Sequence, residues 1–380
     1  MTMDEMWKLA GEYQLNYWCN DDPDLKAAVI ATNEAISPEA RKLHDESIVL
    51  DMCSFFLHEY NWQLEQSGAT AMNFTLGDVY SPSPSKVMGD LIGMHNAVHR
   101  SPDKLMMIHS VEDIYQAKRE GKTGIIFGAQ HCDFVYHADL EASLEVWARM
   151  GLRVMQIAYN HRTFAADGCA SGTDAGITEQ GKVLIRAMEK NGITLDLSHC
   201  GRQSALEAMD YAEKPMIFSH QNPSALYPHL RTIDDEPLKK CAERGGVVCA
   251  TAYLPLLYDG KHFPTVENYV DILAYYADML GIDHVGIGLD SNGQAGCYDR
   301  DDAMNLNTFH KNLYDKYGCA YIKGIEEGRG KFCAAAEGLM STANLPNITE
   351  HMLKRGFSHE DVKKVLGGNM MRIFEQTWAK

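Results

Sequence analysis

Apolar residues along the chain gather into eight short runs, each followed by a stretch in which apolar positions recur every three or four residues. The runs lie near Ile48 to Asp51, Ala69 to Thr75, Thr123 to Gln130, Leu152 to Tyr159, Thr194 to Ser198, Pro215 to Ser219, Gly246 to Thr251 and His284 to Leu289. Short apolar strands alternating with amphipathic helices signal βαβ units and a parallel sheet. Eight of them predict an α/β fold, a single-domain (β/α)8 TIM-type barrel over residues 1–380. Between the runs, Val87, Leu91, Met94 and Val98, or Leu140, Leu144 and Trp147, have the spacing of helices that bury one face and would form the outer ring.

Outside this repeat, residues 1–45 read as an N-terminal helical lead-in, and residues 291–345 as a Gly-rich insertion after the last strand. Ser358 and Asp361 are spaced as a helix cap, with Val362, Val365, Leu366, Ile373 and Phe374 on one face. That face predicts a C-terminal helix docked on the barrel.

With 45% apolar and 23% charged residues, the composition is that of a packed globular protein. The net charge of −17 repels a phosphate backbone and argues against nucleic acid as a partner. No basic amphipathic stretch suits an anionic lipid surface. The first residues lack the basic and long apolar parts of a secretory signal, and the longest apolar stretch, Val247 to Tyr258, contains Pro255, so no membrane partner is expected. Ten scattered cysteines without a CxxC pair read as reduced thiols, hence a cytoplasmic protein.

In such a barrel the chemistry sits at the C-terminal ends of the strands. Two runs end alike, in Ser198-His199 and Ser219-His220, one strand-to-strand step apart. Neighbouring strands lie roughly 5 Å apart, so the two imidazoles can share one metal ion through neutral nitrogens; the alternative is a pair of hydrogen-bonded strand-end residues. Asp290 closes Val285-Gly-Ile-Gly-Leu-Asp290 as a general base or as a cap of the following turn. Arg231, in the loop after His220, is either a clamp for a carboxylate or an ion-pair partner of Asp234 or Asp235.

Taken in order, Lys42-Leu-His-Asp-Glu-Ser-Ile-Val-Leu-Asp51, Asp196-Leu-Ser-His199, Phe218-Ser-His220, Gly286-Ile-Gly-Leu-Asp290 and Val365-Leu-Gly-Gly-Asn369 with Arg372 and Phe374 resemble the membrane (renal) dipeptidases of the amidohydrolase superfamily. The resemblance implies a (β/α)8 barrel with a binuclear zinc site that cleaves dipeptides, commonly as a homodimer. Carried over by position, it implies that His199 and His220 bind zinc, that Arg231 binds the substrate carboxylate and that Asp290 faces substrate and water.

Four other positions depart from that family. Where its first strand ends in Asp-Gly-His-x-Asp, this chain has Asp51-Met-Cys53-Ser-Phe55; Gln130 stands at the bridging carboxylate and Tyr159 at a substrate-facing His. Gln130 offers one neutral oxygen and Phe55 no ligand atom, so the charge compensation for two divalent ions is lost. The expected cofactor is one zinc ion, on His199, His220 and Cys53 with Gln130 beside them, or none. Cys53 is alternatively a nucleophile or a buried small hydrophobe. By the period of two, His131 should point away from Gln130.

Three functions stay open at this point. The first is a dipeptidase-like hydrolase of a small carboxylate-bearing substrate, with Asp290 as acid/base and Tyr159 as a substrate-facing catalytic candidate. The second is a metal-free isomerase or lyase using Tyr159, Cys53 and Asp290 for proton transfer. The third is a non-catalytic binding protein.

Overall fold

A computed structural model describes residues 23–55, 59–77, 83–253, 256, 257, 259, 264–290, 297–299, 331–333, 336–339 and 341–378. Its strands are β1 Leu50–Phe55, β2 Ala71–Thr75, β3 Leu105–Met107, β4 Thr123–Ala129, β5 Leu152–Gln156, β6 Thr194–Asp196, β7 Ile217–Phe218, β8 Val247–Ala250 and β9 Val285–Ile287. The helices are α1 Pro23–Glu34, α2 Pro38–Glu46, α3 Trp62–Ser67, α4 Pro84–Arg100, α5 Val111–Glu120, α6 Leu140–Arg149, α7 Glu179–Lys190, α8 Arg202–Tyr211, α9 Asp235–Glu243, α10 Val266–Leu280, α11 Leu345–Arg355, α12 His359–Lys363 and α13 Asn369–Thr377.

Eight parallel strands run in the order β1-β2-β4-β5-β6-β7-β8-β9. The ends of the series meet, because the amide of Asp290 donates to the carbonyl of Cys53 (3.0 Å) and the amide of Leu289 to Asp51 Oδ1 (2.9 Å). The result is the expected (β/α)8 barrel, nearly closed. All eight predicted strands are present.

Two strand expectations need correction. The short β3 was not foreseen; it pairs with the first half of β4, and β5 takes over that edge from Phe127 onward. The first strand also does not stop at Asp51. It continues to Phe55 through a bulge, since the register passes from Asp51↔Met72 to Ser54↔Phe74, three residues against two.

Outward-facing Met72, Phe74, Ile125, Phe127, Met155 and Leu195 pack under the helices. Inward-facing Leu50, Ile126, Val154, Ile217 and Val247 fill the lower barrel together with Met370, Ile373 and Phe374 of α13. The C-terminal segment lies across the N-terminal ends of the strands. Asn369 donates to the carbonyls of Ile282 (2.7 Å) and Val285 (2.8 Å), Arg372 to those of Gly245 (2.7 Å) and Asp283 (2.8 Å), and Trp378 to Thr194 Oγ1 (3.1 Å). A Cβ at Gly367 would sit 2.5 Å from the carbonyl of Ile48, so a larger residue would hold this segment off the barrel.

The predicted cap is present: Ser358 and Asp361 form a capping box, and Val362, Val365, Leu366, Ile373 and Phe374 are all buried. Residues 23–46 are mostly helical, as the lead-in requires, while residues 1–22 lie outside those described. Most of the predicted insertion at 291–345 also lies outside them; within it, Cys297–Asp299 pairs antiparallel with Lys331–Cys333.

Candidate active site

The C-terminal ends of β5, β6 and β7 are tied together by one buried carboxylate. Asp196 Oδ1 accepts from the amides of Ser198 (2.9 Å) and Ser219 (3.0 Å), and Oδ2 accepts from Ser219 Oγ (2.5 Å) and Gln156 Nε2 (2.8 Å). These bonds place His199 and His220 side by side, with their Nε2 atoms 2.9 Å apart. Both residues are buried.

The protons around this pair follow from partners that can only accept. Ser219 spends its one hydroxyl proton on Asp196, so at the 2.7 Å contact with Ser219 Oγ it is His220 Nδ1 that donates. His199 Nδ1 lies 2.8 Å from Asn160 Oδ1, an acceptor, and therefore also carries a proton. In the neutral rings both Nε2 atoms are left as lone pairs facing each other. Burial, with the positive charge of Arg231 added, holds both imidazoles well below their usual pKa, so a proton is a poor remedy at neutral pH. A metal ion satisfies both lone pairs.

The bulge in β1 lies at Cys53, which is gathered with His220 and Asp290. Its Sγ donates to Asp290 Oδ1 (3.4 Å) and accepts from Gln130 Nε2 (3.2 Å). Cys53 Sγ, a ring nitrogen of His220 and a carboxylate oxygen of Asp290 lie within 4.8 Å of one another. Burial pushes the Cys53 thiol well above its usual pKa, with the charges of Asp290 and Asp51 adding to it. Burial likewise raises the Asp290 carboxyl to about 6, although Arg231 and the Cys53 thiol pull it down. Gln130 also donates to Thr75 Oγ1 (3.1 Å), while its buried Oε1 has no partner.

Among the described residues, His199 (φ 67°) and Asp290 (φ 58°) are the two non-glycine positions in the left-handed region. Such backbone costs on the order of 1–3 kcal/mol per residue and collects at functional sites. Gly288 is needed nearby because a Cβ there would fall on the carbonyl of Ser219.

Tyr159 stacks on His199, with ring centroids 4.0 Å apart at 25°. Arg231 is buried and does not pair with Asp234, which is held by Arg202. Its Nη2 donates to the carbonyl of His220 (2.9 Å) and its Nη1 to Gln221 Oε1, while Nε has no partner. His131 points away from the barrel interior, edge-on to Phe134, and is not with Gln130. Sequence reasoning missed Asn160, the part of Ser219 in fixing the His220 proton, and Gln221. The only signal was their position beside strand-end residues already singled out.

Comparison with known proteins places these features. The chain matches the family described as membrane dipeptidase (peptidase family M19) over residues 2–328 and 330–379. The Claviceps purpurea dipeptidase tcpJ is 25% identical over 72% of this chain, and the match spans 56% of that relative's length. The structure of an amidohydrolase from Pseudomonas aeruginosa superposes with a TM-score of 0.76, at 28% identity, over 90% of this chain and 99% of that one. A metallopeptidase from Rhodobacter sphaeroides, solved with a phosphinate mimic of L-Ala-D-Ala, has a TM-score of 0.67 at 18% identity, over 88% of this chain and 100% of that one. The chain belongs to the membrane dipeptidase family.

Proposed function

We propose that the protein is a dipeptidase-like hydrolase that cleaves an amide-type bond in a small carboxylate-bearing substrate, using one metal ion on His199, His220 and Cys53. The observation that carries this reading is the pair of facing Nε2 atoms, 2.9 Å apart and buried. One thiol sulfur and two imidazole nitrogens suit zinc better than harder, oxygen-preferring ions. Gln130 and Phe55 bring no charge for a second ion, which supports a count of one.

When bound, zinc supplies Lewis-acid polarisation of the scissile carbonyl. The chain supplies the rest. Asp290, on the same cluster, takes and returns the proton. Arg231 provides the positive charge for the substrate carboxylate, and Tyr159 covers the imidazole face from the substrate side. Six of the described cysteines, Cys53, Cys132, Cys169, Cys200, Cys241 and Cys249, are free thiols, which supports action in the reducing cytoplasm. The family resemblance supports a homodimer.

The test is metal analysis of protein purified without chelators, together with assays on dipeptides and N-acyl amino acids. One equivalent of zinc and turnover that a chelator abolishes are expected. Absence of both metal and turnover contradicts the hydrolase reading, and activity that survives chelation and loss of both histidines assigns a metal-free reaction instead.

A further inference from the structure

The loop from β5 to α7 folds back onto the end of β6 and is pinned there at several points. Within it, the amide of Ala170 donates to the carbonyl of Asn160 (2.7 Å), and Arg162 grips the Asp167 carboxylate with two bonds of 2.6 Å. Across to the neighbouring segment, Gly168 bridges to Cys200, the amide of Gly201 donates to the carbonyl of Asp167 (2.8 Å), and the amide of Asp167 donates to Ser204 Oγ (3.0 Å). A Cβ at Gly168 would fall on the carbonyl of Tyr159 and lie 2.6 Å from that of Asn160, so this closure depends on glycine.

Two of the loop's bonds reach His199 itself. The amide of Cys169 donates to the His199 carbonyl (2.7 Å), at a residue whose backbone is left-handed. Asn160 Oδ1 accepts from His199 Nδ1 (2.8 Å), and the same oxygen accepts from Cys169 Sγ (3.5 Å). A neutral imidazole keeps its proton on either nitrogen according to its surroundings, and only the Nδ1–H form leaves Nε2 free toward His220.

We infer that Asn160 is a positioning residue of the metal centre, selecting the His199 tautomer whose Nε2 is free, and that the β5–α7 loop holds it in place. This rests on the reading of His199 as a metal ligand. Asn160 is placed to act on the ion through the imidazole. Partners of this kind orient metal-binding histidines, and their loss typically weakens metal affinity roughly 10–100-fold.

The test uses the full chain in three forms: wild type, Asn160→Leu, which fills the space without an acceptor, and Asn160→Asp, which keeps one. Zinc affinity is read by competition with a chromophoric chelator, and the His199 tautomer by side-chain nitrogen NMR of the metal-free wild type with labelled histidine. The expected results are one bound equivalent and an Nδ1–H ring in wild type, a loss of about 10–100-fold in Asn160→Leu, and affinity within a few-fold of wild type in Asn160→Asp. A merely structural role would lower the melting temperature without setting the tautomer.

An Nε2–H ring in the metal-free wild type overturns the inference whatever the variants do, and so does equal zinc affinity in wild type and Asn160→Leu. Absence of zinc binding by the wild type overturns the metal reading itself, a result distinct from either of these.

Discussion

Gln130 shows how far one side chain decides the chemistry of the site. A carboxylate in its place would be a second charged ligand position, whereas the amide spends its nitrogen on Cys53 and Thr75 and leaves Oε1 buried without a partner. Gln130→Glu is therefore expected to destabilise the metal-free protein by at least about 1–3 kcal/mol, the cost of an unsatisfied buried polar group, and by more in its charged form. It should also enlarge the rise in melting temperature caused by added zinc. Scanning fluorimetry with and without zinc checks both signs, and an unchanged zinc response would contradict the placement of Gln130 beside the ion. Asp290→Asn should leave zinc content intact while lowering kcat/KM by about 10²–10⁴-fold, the usual worth of a positioned acid/base, in steady-state assays. His199, His220 and Asp290 were legible as candidates because a polar residue ending an apolar strand stands out, and Arg231 because its loop leads out of one of those strands. Asn160 was not, because it lies in a loop whose path depends on Gly168 accepting a close backbone approach. Cys53 was legible as a candidate ligand only through the family pattern, since the bulge beside it has no local sequence marker.

At the scale of elements, His44 fastens α2 to the rest of the molecule. It is fully buried, with Nε2 on the carbonyl of Ser67 (2.9 Å) and Nδ1 on Thr349 Oγ1 of α11 (2.8 Å). Burial lowers its pKa from 6.5 to about 4, against the bond to Ser67. The unfolded chain thus binds the proton first. This stabilising contribution is complete above pH 6.5 and drains away as the pH falls toward 4, amounting to about 3 kcal/mol from a shift of that size. Urea titrations across this range should show a shallower loss for His44→Gln than for wild type; identical slopes would place the acid sensitivity elsewhere. At the barrel floor, Phe374→Ala removes a fully buried ring stacked on Trp378 (centroids 4.0 Å apart) and should cost about 3–5 kcal/mol in the same experiment. The eight barrel strands and the C-terminal helix were legible from periodicity. β3 was not, because three residues between two helical patterns are too short to show a period.

The whole molecule divides its labour along the barrel axis. α13 and its hydrogen bonds seal the N-terminal end of the strands, while their C-terminal ends set His199 against His220 and gather His220 with Cys53 and Asp290. Among the described residues no helix is long and apolar enough to cross a membrane. Zinc that binds the folded but not the unfolded chain must stabilise the fold as a whole, by about 2.7 kcal/mol at a hundredfold excess over Kd. The most direct measurement is a crystal structure of the zinc-soaked protein with anomalous data collected across the zinc absorption edge. The account predicts a single anomalous peak between the Nε2 atoms of His199 and His220, within bonding distance of Cys53 Sγ. No peak, with the two Nε2 atoms still facing each other, would contradict it.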